Sequence, residues 1–433
     1  MRIEMPYGGD RVAADIDWGR SLGTLDVADA PALHDPAAAV EEALVNPIGL
    51  KGSLFDAVRP GESVALIVSD SFRQTRADQF LPILVDRLNA AGIRDEAMHV
   101  CFSTGTHRAP TPAEAERILG TELYRRFAPR AFAHDAHDSA NLQFLGTTRR
   151  GTPVWVNKRV LACDRIVATG TVVLHYFGGF GGGRKSVVPG IAGVETISRN
   201  HSMNLDPHSD RLNPDVRIGA LDGNPVAEDM LEAARFVPVD FILNTVLNRR
   251  GEIAAVFAGE MDAAHRVACQ RAYDLYATPI RERADLVIAS AGTAKNFVQS
   301  HKALFNAFQA LKPGGRIVFV ARCEEGPGGE QFVKWLRRRD RDDIIAGLRE
   351  RAEINGQTAL STFEKAPSAL FVTGMTAQDV ALLRGRKADS LVEALNLARA
   401  ELAASGIENP TVWRMPSAAY TVPVGAALSI QGA

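Results

Sequence analysis

Cysteine is scarce in this chain. Only Cys101, Cys163, Cys269 and Cys323 occur in 433 residues, and no two form a CxxC pair. That spacing excludes a zinc ribbon and a thioredoxin-type motif, and leaves the thiols as small buried hydrophobes. Long apolar runs are also missing, so no transmembrane helix is expected. Met1-Arg-Ile-Glu-Met-Pro-Tyr7 lacks the apolar core of a signal peptide, and a cytoplasmic protein is expected. A net charge of −2 provides no global basic field, so neither nucleic acid nor a membrane is expected as a partner. Internal repeats and low-complexity tracts are absent from the sequence.

The sequence does carry a repeated strand–loop–helix rhythm. Ser63–Ser69 is a short apolar run of the kind a buried parallel strand shows, and it ends in the polar stretch Asp70-Ser-Phe-Arg73-Gln-Thr-Arg76. A helix follows, with Phe80, Leu81, Leu84 and Leu88 on one face. Next come a strand at Ala97–Phe102 and the loop Ser103–Arg108. Thr111-Pro-Ala-Glu114 then opens a helix with a capping box. Ligands of α/β sheets sit beyond the carboxyl ends of the strands, which places Asp70, Arg73, Thr104 and His107 along one crevice. A hairpin is expected at Gly146–Val156, and further strands at Asp164–Gly170 and Phe241–Leu247. The rhythm restarts at Asp285. The expected fold is therefore α/β in two domains, residues 1–275 and 276–433, with mainly parallel Rossmann-like sheets and the active-site cleft between them.

The most distinctive stretch is Leu174-His175-Tyr-Phe-Gly-Gly-Phe-Gly-Gly-Gly183-Arg184-Lys185-Ser186, with His201 sixteen residues beyond the lysine. Glycines let a backbone approach a ligand closely, and successive amides form an anion-binding nest that a following helix strengthens. Gly182, Gly183, Arg184, Lys185 and Ser186 are thus expected to hold a large phosphorylated ligand. The phosphate-loop pattern of nucleotide hydrolases is broken, because Arg184 stands where its last glycine is required. The dinucleotide fingerprint fits only by force. Among ten histidines, His34, His99, His208 and His265 read as surface or packing residues. His134 and His137, beside Asp135 and Asp138, form a weak metal pattern, and His301 is expected on a turn. His107 and His175 both follow strand ends, where an imidazole is well suited to move a proton at neutral pH.

Four segments together carry a resemblance: Ser103–Arg108, His175–Gly190, Glu195–His201 and Phe257–His265 are similar to the nickel-pincer lactate racemase family over nearly the whole chain. The resemblance implies a racemase or epimerase of a 2-hydroxy acid. Its cofactor would be nickel held by pyridinium-3,5-bisthiocarboxylic acid mononucleotide, joined covalently to Lys185, with His201 as the protein's nickel ligand. It implies hydride transfer with His107 and His175 as acid and base. Arg73, Gln299 and Lys302 match residues at the substrate's polar end, and Asp70 a residue supporting the loop and cofactor. Separate maturation enzymes would be partners. Val298 and Gln357 depart from the lactate enzymes' tyrosine and tryptophan. With Arg76 and Lys295 as extra cations, they direct attention to malate or another larger or more polar substrate. The alternatives are a non-catalytic carrier of the nickel nucleotide and a phosphate-loop hydrolase.

Overall fold

The computed structural model describes residues 1–425. Contacts divide the chain into two units: Asp29–Leu275, and a second made of Met1–Ala28 together with the segment from Tyr276 onward. Residues 1–28 had been expected in the N-terminal domain. They belong instead to the C-terminal unit, because Arg20–Thr24 pairs in parallel with Thr411–Met415. The hairpin of Arg2–Tyr7 and Asp10–Asp15 also buries Ile3 and Met5 in that unit's core.

The Asp29–Leu275 unit is built on six strands in the order Ile253–Gly259, Phe241–Leu247, Arg165–Thr171, Val64–Ser69, Met98–Ser103, Ala131–Ala133. All neighbours run parallel except the first pair, which is antiparallel. The strand Val64–Ser69 shows why its sequence is apolar throughout. Val64, Leu66 and Val68 enter one core with Leu84, Leu88 and Phe102, while Ala65 and Ile67 enter another with Ile166, Val188 and Ile191. A strand covered on both faces has no polar side to show. The helix Ala77–Ala90 buries Phe80, Leu81, Leu84 and Leu88, as their spacing predicts. Pro112–Leu119 begins with the expected box, in which the Thr111 side chain accepts from the Glu114 amide and Glu114 answers at the Thr111 amide. Leu142–Thr147 and Pro153–Asn157 form the expected hairpin.

The main sheet of the C-terminal unit has six strands, all parallel, in the order Arg386–Ala388, Ala369–Val372, Leu311–Val320, Ala284–Ser290, Thr411–Met415, Arg20–Thr24. The unit's helix Phe297–Gln309 buries His301, away from the turn the sequence suggests for it. The ring accepts or donates at Ser361 Oγ over 3.1 Å. Burial, then the nearby lysine charges, push its pKa down to about 3. The Gly326–Gly329 loop packs on the start of this helix. It receives the amides of Phe297 and Val298 at Gly326 O and Pro327 O. Among the described residues no helix is long and apolar enough to cross a membrane.

Candidate active site

Three neighbouring parallel strands, Arg165–Thr171, Val64–Ser69 and Met98–Ser103, end on the same edge of their sheet. Asp70 directly follows the second of them and is buried, while His107 lies four residues past the third. His107 Nδ1–H donates to Asp70 Oδ2 over 2.7 Å. Because a carboxylate only accepts, a neutral imidazole here keeps its proton on Nδ1 and presents the Nε2 lone pair outward. The histidine side chain is 34% exposed against 3% for the aspartate, which is the arrangement of an oriented base. Asp70 also takes the amide of Phe72, whose ring lies 4.7 Å from the imidazole. Thr104 is buried and donates to the His134 carbonyl, so it braces this loop from behind.

The glycine run folds back on the protein at several of its amides. Its amides are spent on the protein: Gly178 N–H on His175 Nδ1 (3.2 Å), Gly181 on Val173 O (2.8 Å), Gly183 on Asn244 Oδ1 (2.7 Å) and Lys185 on Gly182 O (3.0 Å). Space is spent the same way. A Cβ on Gly179 would fall 2.0 Å from Ala220 O, and one on Gly182 2.7 Å from Asn244 Oδ1. Ser186 Oγ donates to Thr169 O, and Arg184 is buried beneath the loop with Nη2 on Gly178 O. Gly183, Arg184 and Ser186 thus make bonds that shape the turn. No helix starts here. A single 3-10 turn spans Gly183–Ser186, and the next helix is Val194–Ser202. Pro189 cannot continue a helix, and Val187, Val188 and Ile191 are drawn into the core.

Lys185 is the residue of this run whose functional group meets a candidate base. Its Nζ lies 3.1 Å from His175 Nε2 and 5.0 Å from the centre of the Phe177 ring. His175 Nδ1 accepts the Phe177 and Gly178 amides, which fixes the ring. Phe177 also packs edge-on against His175 at 4.4 Å and against His201 at 4.8 Å. His201 is buried on the helix Val194–Ser202. Burial and then the nearby Lys185 charge push its pKa down to about 3, so the ring is a neutral donor at ordinary pH. The loops of the two histidines interlock, since the Gly105 amide donates to Gly190 O over 2.9 Å.

Behind the helix of His201 lies a polar cluster invisible in the sequence. Asp229 is fully buried and accepts from Thr148 Oγ1, Thr152 Oγ1 and Asn200 Nδ2, the last over 2.9 Å. Asp229→Ala removes an acceptor from three buried donors and is expected to cost about 3 kcal/mol. Urea unfolding checks this, and an unchanged midpoint would remove the cluster from the account of how His201 is held. Asn244 was also missed. The lone amide in the buried strand Phe-Ile-Leu-Asn-Thr-Val-Leu was the signal, and its Oδ1 anchors Gly183.

Arg73 shares the loop of Asp70 and donates its amide to the Asp70 carbonyl over 3.2 Å. It is exposed and lines a cavity of about 350 Å³ with Gln74, Arg76 and Arg117. Arg76 is held by Asp78 at 3.3 Å and by Gly251 O. Gln299 and Lys302 sit exposed on Phe297–Gln309 of the C-terminal unit, where Lys295 is also exposed and Gln357 is buried. His134 is buried with Nε2 on Ala192 O (2.9 Å) and Nδ1 facing Asn157 Nδ2 (3.1 Å), which makes it a structural strut. Among the described residues no three or more His, Cys, Asp or Glu side chains group as a metal site.

This is an α/β protein with a buried aspartate orienting a partly exposed histidine at one strand end and a lysine–histidine contact at the next, and sequence comparison specifies its family. Residues 7–212 match the lactate racemase N-terminal domain and residues 280–415 the lactate racemase C-terminal domain. A lactate racemase of Thermoanaerobacterium thermosaccharolyticum is 33% identical over 349 residues, covering 79% of this chain and 80% of that protein. One from Lactiplantibacillus plantarum is 33% identical over 337 residues, covering 76% and 77%. The structure of the lactate racemase apoprotein from T. thermosaccharolyticum superposes with a TM-score of 0.86 at 29% identity, over 98% of this chain and 100% of that one. A Thermotoga maritima protein at 19% identity and TM-score 0.64 shares the fold. The chain belongs to the lactate racemase family.

Proposed function

We propose that this protein is a nickel-dependent racemase or epimerase of a 2-hydroxy acid, acting by hydride transfer with His107 and His175 as acid and base. The observation that carries the reading is the pair of oriented imidazoles on one sheet edge, one held by buried Asp70 and the other at 3.1 Å from Lys185. Family membership supports it.

The side chains present fit the nickel-pincer nucleotide. Lys185 offers a primary amine for a covalent link. His201 offers an imidazole kept neutral by burial, a donor that suits Ni(II). When bound, the nucleotide supplies the acceptor and donor of the substrate hydride. The protein's share is the proton. His107 Nε2 accepts it from the substrate hydroxyl, and Asp70 steadies the imidazolium that forms through the 2.7 Å bond at Nδ1. His175 performs the corresponding transfer for the other enantiomer. Arg73, Gln299 and Lys302 are proposed to meet the substrate's carboxylate and polar groups, where charge-assisted hydrogen bonds would orient it. We place the protein in the cytoplasm beside the enzymes that build its cofactor.

Val298 and Gln357 keep the substrate question on acids larger or more polar than lactate, malate among them. The test is protein produced alongside the maturation enzymes and incubated with single enantiomers of lactate, malate and sugar acids. Chiral separation is expected to show loss of optical purity for at least one. Full loading by intact mass with no racemisation of any acid would instead indicate a carrier.

A further inference from the structure

We infer that His265 is a positioning residue for Lys185, its ring and the Arg184 guanidinium together fixing the path of the glycine turn that carries the lysine. His265 is buried near the start of the helix Ala263–Tyr276 and touches the turn at three places. Its Nε2 lies 2.8 Å from Gly181 O. Its Nδ1 lies 3.0 Å from Arg184 Nη1. A Cβ on Gly183 would fall 2.5 Å from the ring carbons Cγ and Cδ2, so the backbone lies flat against the imidazole. Arg184 extends the clamp, with Nη2 donating to Gly178 O over 3.3 Å.

The chemistry admits one arrangement. A guanidinium only donates and a carbonyl only accepts, so Nδ1 must be the acceptor and Nε2 must carry the proton. His265 is then a neutral ring in a single tautomer, in keeping with a pKa pushed down to about 3 by burial and then by the Arg184 charge. A side chain that cannot both accept from Arg184 and donate to Gly181 loses a point of the clamp. Lys185 follows directly on Arg184, and its Nζ depends on that path to reach the 3.1 Å contact with His175.

This inference rests on Lys185 being the attachment point, and the experiment separates the two. Phenylalanine fills the ring's volume without either hydrogen bond, whereas glutamine offers an amide oxygen to Arg184 and an amide N–H to Gly181. In the cofactor-free protein, acetylation of Lys185 by an N-hydroxysuccinimide ester is followed by peptide mass spectrometry. Covalent loading is followed by intact mass in protein made with the maturation enzymes. His265→Phe is expected to melt near the parent, yet to show altered Lys185 acetylation and loading slowed about tenfold or more. His265→Gln is expected to recover most of both. Parental loading in His265→Phe, or equal impairment of both variants, overturns the inference. A parent that never loads overturns the attachment reading, and the acetylation comparison still decides on His265. Should His265→Phe not fold, ¹⁵N-histidine spectra of the parent decide. The Nε2–H tautomer supports the clamp and the Nδ1–H tautomer overturns it.

Discussion

His107→Ala is expected to lower kcat by about 10²–10⁴-fold while Lys185 still loads with cofactor, the range that loss of a positioned general base or acid produces. The expectation depends on how the residue is mounted. Asp70 lies at the carboxyl end of a strand buried on both faces, and cannot shift without disturbing Val68 and Phe102 in the core beneath it. His107 is fixed to that anchor at 2.7 Å, and its ring is supported by Phe72. Alanine removes the proton acceptor and little of the packing, because the side chain is partly exposed. Asp70→Asn should be impaired in kcat but less severely, since the imidazole remains without a carboxylate to stabilise its charged form. Racemisation measured from each enantiomer in turn is the check. Parental rates in His107→Ala would end its assignment as acid or base.

The second large effect concerns Lys185. Lys185→Ala is expected to show no mass increment when produced with the maturation enzymes, and racemisation below detection. Lys185→Arg should behave the same way, although it preserves the charge. A guanidinium stays protonated and is not an acylable amine. The pair of variants thus separates covalent attachment from electrostatic retention. An arginine variant that loads would show that charge alone recruits the cofactor. Both variants also remove the natural partner of His175 Nε2, so their intact mass is the primary readout and activity the secondary one.

Much of this scaffold was legible because its signals are local. The run Val-Ala-Leu-Ile-Val, the spacing of Phe80, Leu84 and Leu88, and the Thr111–Glu114 box each specify an element within a few residues. The strand ends bearing Asp70 and His107 follow from the same rhythm. What could not be read was what surrounds a residue once the chain has closed. Glycines at 179, 182 and 183 announce close approach, but not that the approaching atoms belong to Ala220, Asn244 and His265. His301 looked like part of a polar turn beside Lys302. Its spacing from Phe297 and Leu304 places it on the buried face of a helix instead. Asp229 meets Thr148 and Thr152 across about eighty residues of chain, a separation no local pattern reports.

The pairing of Arg20–Thr24 with Thr411–Met415 has a consequence for the order in which the protein is made. The first strand leaves the ribosome roughly 390 residues before its neighbour, and at about 5–20 residues per second the wait lasts some tens of seconds. During that time the whole Asp29–Leu275 unit can emerge and fold, while the N-terminal hairpin has no core for Ile3 and Met5 to enter. The segment bearing the candidate histidines and Lys185 is therefore synthesised before the other unit is complete. If Lys185 carries the proposed cofactor, a nascent chain arrested after residue 275 would test whether attachment needs the second unit.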